Sequence, residues 1–377
     1  MTLVLRGMTW EHERGHGSIV AASTAYEQAA PGVRIDWTFR SLQAFADAPV
    51  EQLAREFDLL VIDHPHIPLA ADGGALAPLD GGVHDEELRV LAGQSVGPSH
   101  ESYRYGGRQY GLASDAAAQV AVRRPDLLAE PPTDWDDVMR LARDGRVLWA
   151  AKPIDSYSSL LTLAANNGTP AFAEPGLFLS PDHAAPVLER MRELAAAVPA
   201  FCLDANPIDI AEALCADDTW SYSPLAFGYT NYSRAGYRRV RLAYTDIPRG
   251  PRGVRGSLLG GAGIAVSAHS THPREAADFA VWVASASAQS GAYFDGGGQP
   301  GNAEAWDDER IGALSEDFFR GTRATLDGAW VRPRVPGYIA FQDTTSPWVT
   351  QMLRGELAPG TLIDRMNVEA DRMERSR

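Results

Sequence analysis

Apolar residues in the first sixty positions recur in two alternating rhythms. Leu3 to Met8 reads as a strand and is followed by a polar stretch, Thr9 to His16. Ser18 is placed as the cap of a helix that carries Ile19, Val20, Ala22, Ser23 and Tyr26 near one face. Pro31-Gly32 ends it, and Val33 to Trp37 alternates as a second strand. A helix from about Ala48 to Phe57 leads into Phe57–Asp63, an apolar run suited to a strand buried on both faces. The succession β-α-β-α-β predicts an open, mostly parallel sheet. Farther along, a strand is expected over Arg146–Ala150 and helices near Leu160–Ala165, Ala184–Ala197 and Asp209–Leu214. Thr219–Pro224 reads as an aromatic loop. The segment Gly256–Asn302 is the richest: a glycine turn, the strand Ile264-Ala265-Val266, a helix with Ala276, Phe279, Ala280, Trp282 and Val283 at helical spacing, and a glycine loop. The last third is helical, with Pro333, Pro336 and Pro347 as breaks. No low-complexity segment or short internal repeat stands out.

A chain of 377 residues has room for two cores, and its 22% charged residues suit a water-exposed surface. The formal charge of -15 argues against nucleic acid as partner, since that needs a basic face. No run of eighteen apolar residues occurs, so no membrane insertion is expected. Met1-Thr2 passes straight into Leu3-Val4-Leu5 without a signal-peptide pattern. The expectation is either a mature form with a replacement Met or a cytoplasmic protein. Cys202 and Cys215 leave a disulfide and a free buried pair equally open. Lys152 is the only lysine.

Candidate chemistry gathers where strands end. His12-Glu13-Arg14-Gly15-His16 matches the zinc-protease pentad literally, but Gly15 and the absence of a bracketing apolar face favour a ligand-facing loop after the first strand, with a solvated polar loop as the alternative. Asp63-His64-Pro65-His66 follows the third strand toward the same side. His12, His16, His64 and His66 are therefore the only metal candidates, with ligand hydrogen bonding as the reading preferred. Asp115 is either an acceptor for two hydroxyls or a helix cap. Lys152 is expected at a strand end, as a polar contact or a base. Trp220, Tyr222 and Tyr229, with Tyr232, crowd a loop rich in small polar residues, and Trp10 and Trp330 offer a second wall. Aromatic faces pack on the apolar face of a sugar ring. Gly260 and Gly261 allow close backbone approach, and Gln299 offers a donor and an acceptor. No dinucleotide or P-loop glycine pattern and no nucleophile elbow occurs, and no cofactor is expected.

Leu76-Ala77-Pro78-Leu79-Asp80, Tyr105–Leu112, Gln119–Leu128, Pro132–Val138 and Gly256–Asn302 occur in an order that resembles the extracellular solute-binding proteins of ABC importers, carbohydrate-type subgroup. The resemblance covers nearly the whole chain; the loop at Thr219–Pro224 is longer than the family pattern. It implies an α/β, two-lobed periplasmic-binding-protein-like class II fold with a hinge between two mixed, mostly parallel sheets. Lobe 1 is expected over 1–112 with 260–310 and lobe 2 over 113–259 with 311–377, the C-terminal helices packing partly on both. The resemblance further implies a monomer that holds a small polar, carbohydrate-like ligand in an interlobe cleft for an ABC permease, in a periplasmic or extracytoplasmic location. A rival reading is a cytosolic enzyme on that scaffold using His12, His64 and Lys152 for acid/base chemistry on a small polar metabolite. A third is a cytosolic ligand sensor.

Overall fold

The computed structural model describes residues 2–40 and 49–376. The chain divides into two units, Met1–Ala117 with Gly260–Ile311 and Ala118–Leu259 with Gly312–Arg377. Strand β1 (Leu3–Trp10) runs two residues past the expected end. A widened helical turn, Glu13–Gly17, then feeds α1 (Ser18–Ala29), so the stretch expected as a loop is wound into the start of a helix. The cap is His12, not Ser18: its Nδ1 accepts from the Arg14 N–H at 3.1 Å. Ser18 Oγ instead donates to the carbonyls of Arg14 and Gly15. Ile19, Ala22, Ser23 and Tyr26 are buried as expected, whereas Val20 is exposed.

Next come β2 (Val33–Arg40), α2 (Val50–Glu56), β3 (Leu59–Ile62), β4 (Leu76–Ala77) and β5 (Gly111–Ala113). The expected helix start at Ala48 lies outside the described residues. The second unit opens with β6 (Ala117–Arg123), α3 (Trp135–Arg143), α4 (Pro153–Asn166), α5 (Pro181–Ala197) and α6 (Pro207–Ala216). It continues with β7 (Tyr222–Phe227), β8 (Ala243–Thr245) and β9 (Leu259–Gly260). The chain returns to the first unit in β10 (Gly263–Ser267) and α7 (Pro273–Ala284). It closes in the second unit with α8 (Phe318–Asp327), α9 (Tyr338–Leu353) and α10 (Pro359–Arg375).

In the first unit the strand order is β2-β1-β3-β10-β4, with β5 also on β10. β1 lies parallel to β2 over eight residue pairs and parallel to β3 at Gly7–Leu59 and Met8–Leu60. The returning strand β10 is antiparallel to β3, β4 and β5. Among the described residues of this unit, parallel strand pairing is confined to β1, β2 and β3. Neighbouring residues on a strand serve opposite faces. Leu59, Ile264 and Val266 join Tyr26, Ile35 and Phe279 on one side; Leu60 and Ala265 join Met8, Leu53 and Tyr103 on the other.

The second unit's sheet runs β8-β6-β9 with β7 also on β6, and the pairings of β6 with β7 and β8 are antiparallel. Three expectations fail here. Arg146–Ala150 forms no strand; Val147 makes a single bridge to Tyr222, and Trp149 is core. Tyr222 begins β7 rather than sitting in a loop. Pro347 lies inside α9 without ending it, while Pro333 and Pro336 do stand between helices.

Beside β6 one buried polar cluster is paired within itself. Thr162 Oγ1 donates to Gln119 Oε1 at 2.7 Å and accepts from the Leu258 N–H at 2.9 Å. Gln119 Nε2 and Trp149 Nε1 both donate to Ser159 Oγ, at 3.1 and 3.2 Å. Buried polar groups of this kind are tolerated only when paired. Thr162→Val strands one acceptor and one donor, so urea unfolding should show a loss of about 2–3 kcal/mol. Thr162→Ser, which keeps both bonds, should lose clearly less.

Candidate functional site

The register of the first unit's sheet determines which loops meet. β1 and β3 are parallel, so Trp10 and Ile62 end at the same edge. β10 begins at that edge, since Gly263 pairs with Ile62, and Ala113 pairs with Gly263 from the other side. Trp10–His12, Asp63–His66, Ser114-Asp115 and Gly261-Ala262 therefore emerge along one edge. Open α/β sheets bind ligands at the carboxyl ends of their parallel strands.

Along this edge Trp10 is almost covered and stacks on the His12 ring, with centroids 5.3 Å apart and planes 12° from parallel. Gly15 is the reason the pentad holds a glycine: a Cβ there would lie 2.5 Å from Trp10 Cε2. His16 packs on Phe39. Asp63 precedes a short turn in which His64 is wholly buried, edge-on to Tyr103, and His66 is half-buried. Among the described residues no three His, Cys, Asp or Glu side chains come together to hold a metal ion, so His12, His16, His64 and His66 do not form the metal cluster weighed above.

Asp115 is neither a helix cap nor open to hydroxyls. It is 4% exposed, and the buried Arg14 guanidinium grips it with two bonds, Nε to Oδ2 at 2.7 Å and Nη2 to Oδ1 at 2.5 Å. Its backbone exchanges hydrogen bonds with Ala262. Gly261 has φ +99, and a side chain there would strike the Asp115 carbonyl. Gln299 is buried, and its Nε2 donates to the Ala116 carbonyl at 2.8 Å. The Tyr293 hydroxyl sits nearby, its pKa raised by burial first and by the Asp115 charge second.

In the second unit Lys152 is the half-buried N-cap residue of α4 rather than the end of a strand. One turn on, Asp155 is 4% exposed and its Oδ2 has no hydrogen-bond partner among the described residues. Burial pushes its carboxyl up to about 7; Lys152 pulls it down and Asp209 pushes it further up. Trp220 is half-buried against Phe201, with centroids 5.5 Å apart. Tyr229 keeps a thin exposed edge at 9%. Tyr222 is fully buried, and Tyr232 is buried with its hydroxyl donating to Glu212 at 2.7 Å. Gly260 ends β9, and Trp330, half-buried, bridges to Leu258. Cys202 and Cys215 are free buried thiols, each pushed up to about 11 chiefly by burial.

Residues 21–316 match the model of the bacterial extracellular solute-binding protein family. The chain belongs to that family. This solute-binding protein also shares its fold with several solved relatives at low identity. The maltose-bound MalE3 of T. maritima superposes with a TM-score of 0.83 at 16% identity, covering 98% of this chain and 99% of that one. The GacH receptor of Streptomyces glaucescens, solved unliganded and with acarbose, gives 0.81 at 15%, covering 100% and 99%. A solute-binding protein of Agrobacterium radiobacter in complex with ribitol gives 0.81 at 19%, covering 98% of each chain. The two-lobed class II periplasmic-binding-protein fold is thus the architecture of this chain. Family membership carries a small-molecule ligand and an ABC transporter as partner. No helix of the described residues is long and apolar enough to cross a membrane.

The enzyme alternative finds no support. His64 is sealed in, His12 Nδ1 is occupied by a backbone N–H, and Lys152 stands at a helix start beside a buried carboxyl. Two residues escaped the sequence reading. Arg14 lies inside the pentad but pairs with a residue 101 positions away, a link no local pattern signals. Asp155 was hidden because an acid in the first turn of a helix ordinarily faces water.

Replacing Arg14 by Met leaves Asp115 charged, buried and unpaired, and should cost about 3–5 kcal/mol in urea unfolding. The double replacement Arg14→Met with Asp115→Leu should recover much of that loss. For Asp155 the sign follows from its raised folded-state pKa. Between the ordinary 3.8 and about 7 the folded carboxyl keeps a proton that the unfolded one has lost, so stability falls as pH rises through this window and then levels off. The fall amounts to at most about 4 kcal/mol. Thermal unfolding should show Asp155→Asn gaining on the wild type from pH 4 to pH 8.

Proposed function

We propose that this solute-binding protein acts as a monomer that captures a small neutral polyol or sugar for an ABC-type importer. The family match over residues 21–316 carries the reading. Related structures of the same fold are described with maltose, acarbose, alpha-D-tagatose and ribitol, all polyhydroxylated compounds. The chain's own residues suit such a ligand. On the first unit the Trp10–His12 stack offers an aromatic edge beside the donors and acceptors of Asp63 and His66. On the second, Tyr229 and Trp220 offer rings and Lys152 an ammonium. Asp115, Gln299, His64, Gly261 and Tyr222 hold these positions in place from within, through the buried contacts described above. A neutral guest fits because the buried ion pair of Arg14 with Asp115 at the first unit's edge already cancels its own charge.

Calorimetry against maltose, acarbose, tagatose and ribitol, followed by mass spectrometry of the recovered ligand, tests the reading. At least one compound should bind and be recovered unchanged. Tyr229→Ala should weaken that binding roughly tenfold, the scale of one lost ring contact. Failure of every polyhydroxylated compound to bind, or chemical conversion of the ligand, would overturn it.

A further inference from the structure

One cavity of the second unit has no part in that reading. It is a half-open cleft of about 830 Å³ between the segment 249–256 and the C-terminal end of α8, with Trp330 on its wall. The size is that of a small-molecule site. Its rim is Arg249-Gly250-Pro251-Arg252-Gly253-Val254-Arg255-Gly256, a threefold Arg-Gly repeat that corrects the expectation of no short internal repeat.

The backbone of the repeat is fixed. Gly250 and Gly253 exchange N–H···O bonds at 3.0 and 2.9 Å, and the Arg249 N–H donates to the Thr133 carbonyl. The buried Asn166 amide donates to the carbonyls of Gly253 and Arg255, at 2.9 and 2.6 Å. The Gly256 N–H donates to the Gly328 carbonyl across the cavity floor. The guanidinium groups are not tied to acids. Arg249, Arg252 and Arg255 are exposed, and none has an ion pair or side-chain hydrogen bond among the described residues. About half of the arginines of this acidic chain pair with a carboxylate, as Arg124 does with Asp126 and Asp218.

The acids on the wall are already committed. Asp246 accepts from the N–H and the hydroxyl of Thr325, both at 2.8 Å. Burial pushes its carboxyl above the usual range, against those bonds and the nearby Arg249. Asp327 accepts from Arg323 Nε at 3.0 and 2.9 Å. The Thr325 bonds do not cancel the Asp246 charge, but with Asp327 tied to Arg323 the three guanidinium groups, planar donors three residues apart, leave the rim net cationic. Guanidinium groups so arranged suit oxyanions, which they bind through paired N–H···O bonds.

We propose that this cavity is a second ligand site, for a small soluble polyanion of the phosphate or polycarboxylate class. It is independent of the sugar reading and stands or falls separately. The test titrates the full chain with pyrophosphate and with citrate in low-salt buffer, by calorimetry and thermal shift. One of them should bind and raise the melting temperature. Affinity should drop at least about tenfold in Arg252→Ala, as expected for a lost charge-assisted pair. It should vanish in the triple Arg249→Ala, Arg252→Ala, Arg255→Ala variant. A triple Arg→Lys variant, which keeps charge but loses the planar fork, should bind more weakly than the wild type. Far-UV circular dichroism and binding of the wild type's polyol, if one is found, should be unchanged in every variant. The proposal is overturned if neither anion binds, or if the triple alanine variant binds as well as the wild type. It is also overturned if an equal concentration of chloride competes fully, or if only phosphatidylglycerol vesicles are bound.

Discussion

The first unit's edge of strand ends depends on one buried contact, the clasp of Arg14 on Asp115. Arg14 belongs to the turn that leaves the first strand, and Asp115 to the segment by which the chain leaves the unit. The guanidinium satisfies both carboxylate oxygens, and Asp115's backbone in turn holds Ala262, where the chain comes back. Three separate passes of the chain are thereby pinned within a few ångströms. A buried ion pair adds little net stability beside an apolar filling. Its value here is geometric: it admits one arrangement of the three passes and penalises the rest.

Much of the architecture was legible because the strongest periodic signals belong to elements buried on both faces. Leu59–Ile62 and Ile264–Val266 are apolar without interruption, and each lies inside a sheet whose two sides are covered. The misreadings share a cause, which is that burial and ladder pairing are different things. Val147–Ala151 is as apolar as a central strand, but its backbone donors meet β7 only at Tyr222 and otherwise go to Cys202 and Ala205, so no ladder forms. Tyr222 reads as a ring offered to a ligand until its strand turns it inward. Pro347 is tolerated in its helix because Asp343, whose carbonyl loses a helical donor, is exposed to water. The candidate site was legible as a set of strand ends but not as a set of roles. Which carboxylate is clasped and which ring is covered depends on residues far away in sequence.

Charge is distributed by the same logic. A chain with formal charge -15 carries nearly all of its cations as arginine, and about half of these are tied to carboxylates, many within one helical turn. Surface pairs of that kind contribute little stability. They do neutralise locally, so that a cluster of untied guanidinium groups stands out against the acidic background far more than it would on a basic protein.

The returning strand has a consequence for biosynthesis. Gly263–Ser267 completes a sheet begun at Leu3, and the second unit's Ala118–Leu259 is translated between β5 and β10. Until the ribosome has passed Ser267, the nascent β3 has a bare edge and the half-built sheet cannot close. Unpaired edges of this sort attract aggregation, and distant pairings are slow to find. Maturation of the N-terminal half therefore waits on residues made long after it, and that interval is when a chaperone has most to protect.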